Sequence, residues 1–221
     1  MTLQHVDILF QIIAFVFAIS VHESAHAWMA NRRGDPTARM LGRITLNPIK
    51  HIDPVGTILL PLIAIVTHLP LLGWAKPTPV NPRNFRNPVL DDILTSVVGP
   101  LSNFVVAAGA TIVLIAIKVS SPAGRQVVDD PLHSQSIIAP LCVLFYELLQ
   151  INVLLAVFNL IPVPPLDGSH VLRHFLPDPV RRVYDMMGMF GLLILVYFGH
   201  NFLSWLLGLG LGIFYSVLSI A

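Results

Sequence analysis

The sequence predicts an all-α polytopic membrane protein of about five transmembrane helices. A re-entrant or membrane-embedded region is expected between the first and second spanning helices. Three observations predict this. Of 221 residues, 55% are hydrophobic and only 11% are charged, against about 25% charged in a soluble domain. The mean hydropathy is +0.75. Several apolar runs approach the ~18–20 residues that cross ~30 Å of hydrocarbon. The formal net charge of +1 leaves no basic patch fit for a nucleic-acid partner. The single cysteine, Cys142, excludes an intrachain disulfide framework. The start, MTLQHVDILF, has no Lys or Arg ahead of its apolar run. That differs from a cleavable signal peptide, so the first helix is expected to persist.

The elements follow in order. A first apolar run covers about 8–30, then a polar stretch rich in Gly, Pro and Arg. A second run, about 57–74, is interrupted by Pro61, His68 and Pro70. The proline-rich AKPTPVNPRNFRNP reads as extended chain and turns. Further runs cover about 93–117 and 137–161. Two C-terminal runs, about 183–198 and 202–220, are split by GHN. With no internal repeat, residues 1–221 are expected to form a single membrane-embedded domain.

Lys and Arg set the expected orientation. They number five in 31–56, three in 76–90, two in 118–136 and three in 163–182. If 57–74 crossed, the two sides would be nearly equal. If it dips in and returns, one side carries eleven and the other two. The second arrangement fits positive-inside, so 31–90 and 163–182 are expected in the cytosol. Irregular backbone at that depth must be shielded from lipid.

Residues 20–27 read SVHESAHA, inside the first run. Ionisable residues there are costly and mark a functional site. His22 and His26 are four apart and share one helical face. Two imidazoles so spaced can chelate Zn²⁺, and Glu23 is placed to act on water rather than to bind metal. H-E-x-x-H on a helix is the zinc metalloprotease pattern. The competing reading is a pair of core histidines in helix–helix hydrogen bonds. Catalytic zinc takes a third protein ligand. The best candidate is Asp167 in FNLIPVPPLDGSH, where prolines break the fourth helix; otherwise Asp167-Gly168 is a plain turn. His22 falls about 21 Å into its helix, roughly 10 Å below the cytosolic edge of the core. Asp167 is expected on the same side at similar depth. His51 and Asp53 read as solvated or hydrogen-bonded loop residues. His170 and His174, with no acidic partner at the right place, read as interfacial.

Three motifs carry a family resemblance: HESAH at 22–26, GPLSN at 99–103 and NLIPVPPLDG at 159–168. With LNPIKHIDPVGT and GWAKPTPVNP they cover about 8–175. The chain resembles the site-2 protease family of intramembrane zinc metalloproteases (peptidase family M50). It resembles its minimal members, without an inserted PDZ domain in the short 119–136 loop and without CBS domains. The resemblance implies that His22, His26 and Asp167 hold one Zn²⁺ per chain and that Glu23 is the general base. It implies a β-hairpin or sheet in part of 36–90, beside the active site; TARMLGRITLNP fits a strand and a proline turn. It places Asn103 and Asn159 near the cleft, where they could hold substrate backbone or an oxyanion; the alternative is interhelical hydrogen bonding. The family pattern often reads LDGG, where this chain has Ser169. The resemblance implies proteolysis of transmembrane protein substrates, within the bilayer of a prokaryotic cell membrane and with the active site toward the cytosol. Two other classes stand beside it: a non-proteolytic membrane adaptor that retains a zinc site, and a metal transporter. Against a transporter, there is no inverted repeat and no second polar helix.

Overall fold

The computed structural model describes residues 3–67 and 74–220. Helix α1, Leu3–Arg33, carries HESAH. It stops at Gly34, whose φ of +114° suits glycine. Asp35 then gathers the turn. Its Oδ1 accepts from Thr37 N at 3.1 Å and Asn84 Nδ2 at 2.8 Å, and its Oδ2 from Asn81 N at 2.7 Å. The short α2, Thr37–Met40, follows. The TARM segment is therefore a helical turn, and among the described residues of 36–90 there is no strand.

What stands in place of the expected hairpin explains its sequence. Asp53 caps a π-helical turn, Pro54–Leu59, by accepting from Val55 N and Gly56 N. The turn leads into α3, Leu60–Thr67. Residues 68–73, with His68 and Pro70, lie outside the described residues. At Trp74 the chain is back where it left. Trp74 N donates to Gly56 O at 3.2 Å, Thr57 Oγ1 to Trp74 O at 2.8 Å, and Lys76 N to His51 O at 2.9 Å. The buried Arg43 guanidinium joins the arms by donating to Lys50 O and Lys76 O. A segment whose two ends bond to each other does not separate them across ~30 Å. The 57–74 run is re-entrant in this sense.

Helix α4, Pro88–Ser120, is the centre of the bundle. Asn87 caps it by accepting from Leu90 N, and Asp91 Oδ2 accepts from Asn87 N. Asp91 Oδ1 also binds Arg33 Nε at 2.6 Å, tying the end of α1 to the start of α4. After α5, Pro122–Asp129, helix α6 runs over Ala139–Asn159. Helices α1, α4 and α6 pack together through small residues. Ala14 and Ala18 of α1, Ala107 and Ala110 of α4 and Ala156 of α6 are buried, while Val105, Ile112 and Phe17 are exposed. That inside-out distribution is the one a lipid solvent allows.

The chain ends with α7, Asp167–Leu172, a 3₁₀ turn Arg173–Phe175, α8, Asp178–Phe198, and α9, His200–Ile220. Four described helices are long and apolar enough to cross a membrane: α1, α4, α6 and α9. The sequence pointed to about five, counting 183–198. Helix α8 differs for two reasons. Its first turns carry Asp178, Arg181, Arg182 and Asp185, and Gly188 breaks it with φ 44° and ψ −131°. About ten apolar residues remain, only some 15 Å of helix. Lys118 Nζ near the end of α4 donates to Leu218 O near the end of α9 at 3.0 Å. The two helices thus run parallel, and α8 begins and ends at one end of the bundle.

Candidate metal centre

Helix α1 places His22 and His26 one turn apart, with ring centroids 4.6 Å apart and planes at 81°. Both are buried, and their Nε2 atoms lie 3.0 Å from each other. The rings lean on α4 at Gly99. A Cβ there would lie 2.4 Å from His26 Nε2 and 2.8 Å from His22 Cε1. Pro100 lacks an N–H and loosens the preceding turn of α4. In that turn Thr95 O accepts from His26 Nδ1 at 2.6 Å. A carbonyl only accepts, so His26 Nδ1 carries a proton, and in the neutral ring Nε2 presents a lone pair.

The carboxylate arrives from the other end of the chain. Helix α6 ends at Asn159, and Pro162, Pro164 and Pro165 prevent its continuation. The next helix starts at Asp167. Gly168 is needed beside it, because a Cβ would lie 2.3 Å from Leu160 O. Ser169, in place of a second glycine, fits: its N donates to Leu166 O at 2.9 Å. Asp167 Oδ2 lies 3.1 Å from His22 Nε2 and 3.3 Å from His26 Nε2. It is buried and lacks a hydrogen-bond partner. His22, His26 and Asp167 form the group of potential ligands among the described residues.

The three atoms fit a metal. Tetrahedral ligands at ~2.0–2.1 Å from zinc lie about 3.3 Å from one another, and the observed edges are 3.0–3.3 Å. With both imidazoles neutral, the three converging lone pairs repel, and a cation relieves that repulsion.

Glu23 lies one residue from His22 and is half-buried. Its Oε2 accepts from Thr78 N at 2.8 Å, and Thr78 Oγ1 donates to Glu23 O at 3.0 Å. In Pro77-Thr78-Pro79 the Thr78 amide is the one backbone donor. Sequence reasoning missed Thr78; the signal was this lone N–H between prolines.

The family model for peptidase family M50 matches residues 10–198. The chain belongs to peptidase family M50. It is a metallopeptidase of the site-2 protease type. YwhC of Bacillus subtilis, assigned by its name as a zinc metalloprotease, is 34% identical over 83% of this chain and 76% of its own length. Rip2 of Mycolicibacterium smegmatis, similarly assigned, is 28% identical over 88% of this chain and 68% of its own. No solved structure matches significantly.

The remaining M50 candidates are placed as follows. Asn103 is fully buried, with its amide toward His22, Ala18 and Asn152. Asn159 is half-buried, and its Nδ2 donates to Leu155 O of its own helix at 3.0 Å. His51 is fully buried and bonded through Nε2 to Thr45 O at 2.8 Å, away from any metal group, and Asp53 is the cap described above. His170 and His174 do have an acidic partner, contrary to expectation. Asp92 of α4 lies 2.8 Å from His174 Nε2 and 3.6 Å from His170 Nδ1. The contact clamps α7 and its following turn onto α4. It was invisible in sequence because His174 and Asp92 stand 82 residues apart.

Proposed function

We propose that this chain is a zinc-dependent endopeptidase that cuts transmembrane segments of other proteins inside the bilayer. The observation that carries the reading is the position of the metal-ligand triangle. His22 lies eleven residues inside the C-terminal end of the apolar span Ile8–Arg33, about 16 Å along the helix. A site at that depth meets peptide bonds in membrane segments. The excess of Lys and Arg in 31–90 and 163–182 supports an active site facing the cytosol.

His22, His26 and Asp167 would hold one Zn²⁺, which supplies a Lewis acid for the scissile carbonyl and lowers the pKa of water toward 7. Glu23 takes the proton from the attacking water and returns it to the leaving amine. The Thr78 N–H holds one carboxylate oxygen and leaves the other for that transfer. The substrate helix must unwind locally, because a helix hides its amides in i to i−4 bonds. Asn159 is the residue assigned to hold the unwound backbone, since Asn103 is sealed within the bundle.

The test co-expresses the chain with a doubly tagged transmembrane reporter and compares wild type with Glu23→Gln. A shorter fragment should appear with wild type. The variant should lose about 10²–10⁴-fold in rate, the scale of general-base catalysis, and keep its metal. If no reporter of a panel is cut while purified protein holds one zinc per chain, the proteolytic reading fails and an adaptor role replaces it.

A further inference from the structure

We propose that Asn103 and Asn152 form a hydrogen-bond relay that fixes the tautomer of His22, and so are positioning residues of the metal centre. The inference rests on the metal-binding reading above and goes beyond it. His22 Nδ1 lies 2.6 Å from Asn103 Oδ1. Unlike the Thr95 carbonyl that faces His26, an amide side chain can turn either its oxygen or its nitrogen to a ring. Which way it turns decides whether Nδ1 carries the proton.

Two backbone carbonyls settle the sense. Ala18 O lies 3.2 Å from the nitrogen end of the Asn103 amide. Leu148 O lies 2.8 Å from the nitrogen end of Asn152. Carbonyls only accept, so both amides must present NH₂ to them. Asn152 then has its oxygen free, and Asn103 Nδ2 donates to it at 2.8 Å. Asn103 Oδ1 is left facing His22 and accepts from Nδ1–H. In the neutral ring the Nε2 lone pair of His22 therefore points at Asp167 and His26. Flipping either amide would set oxygen against oxygen in a site where both asparagines are 0% exposed and no water restores the loss. If the proton sat on His22 Nε2 instead, that atom would have no lone pair for a metal. The relay spans three helices: α6 sets α4, and α4 sets α1.

The test measures Zn²⁺ affinity of the purified full-length protein in detergent by chelator competition. Asn103→Leu should weaken binding about 10–100-fold, as loss of an outer-shell partner does. Asn152→Leu should weaken it roughly 3–10-fold, the scale of one neutral hydrogen bond. In this buried site Asn152→Asp is held as the neutral acid, so its O–H donates to Leu148 O in place of the amide while its other oxygen still accepts from Asn103 Nδ2, and affinity should stay near wild type. Introduced into the Asn103→Leu background, Asn152→Leu should cost nothing further, because the relay is already cut. A packing role gives a different pattern: Asn152→Asp as harmful as Asn152→Leu, and additive losses in the double variant. That pattern, or wild-type affinity in Asn152→Leu, overturns the relay. If Asn103→Leu does not fold, the two Asn152 variants decide alone. Wild type that binds no zinc would refute the metal-centre reading itself, and the relay with it.

Discussion

At Gly99 the ring of His26 occupies the space of a missing side chain. A methyl group there would stand 2.4 Å from His26 Nε2, well inside contact distance. Gly99→Ala should therefore push both rings off α4 and lower zinc affinity by at least about tenfold, on the scale of outer-shell losses. Equilibrium dialysis against zinc reads this directly; an unchanged affinity would mean that the rings do not lean on α4. His51 offers a separate test by pH. Burial, with the Arg43 guanidinium, pushes its pKa below the ordinary value, against the bond to Thr45 O and the Glu23 carboxylate, which raise it. The folded state then binds fewer protons than the unfolded one. The stability it contributes is complete above an unfolded pKa of about 6.5 and is lost as pH falls through the depressed folded value. Thermal unfolding between pH 7.5 and pH 5 should show this loss, and His51→Asn should flatten it.

Among the elements, α4 contributes no ligand yet arranges the ones that bind. Thr95 O orients His26, Gly99 makes room, Asn103 meets His22, and Asp92 holds α7 through His174. Asp92→Ala should release that clamp and cost about 1–3 kcal/mol, the range for hydrogen bonds to charged groups. Chemical denaturation checks the stability. Zinc affinity should fall in parallel, since α7 begins at Asp167. The candidate site residues were legible in the sequence. His22, Glu23 and His26 sit within one turn of helix, and an i, i+4 spacing states their shared face. Asp167 was legible through its prolines. Thr78, Asn152 and Asp92 were not, because each meets its partner through packing between distant segments. Hydropathy and spacing carry no information on that.

For the whole molecule, charge counting favoured a re-entrant 57–74 run, and the bonds that join its two ends agree with that arrangement. The expected β-hairpin was not found among the described residues. Its arms do meet, but through isolated bonds at Gly56–Trp74 and His51–Lys76 rather than a ladder. The fifth expected span is not among the four described helices long and apolar enough to cross, because hydropathy sums residues and ignores a break such as Gly188. Single cysteines at Val55 and Arg83, in a Cys142→Ala background, test the topology. Both should react with an impermeant maleimide from one side of the membrane, and a cysteine at Ile137, which is 94% exposed, from the other. Reaction of the first two from opposite sides would show that 57–74 crosses.

The metal ligands lie at opposite ends of the chain's path, and this gives the protein a history as well as a shape. HESAH leaves the ribosome early, and LDG follows only after α4 and α6 have been made. Until then the paired imidazoles face a bundle that holds them but has no carboxylate to complete the triangle. On the proposed reading, a chain still being threaded into the membrane lacks its third ligand and cannot yet cut the helices inserted around it. Any truncation before Asp167 should leave a harmless fragment rather than an unregulated protease.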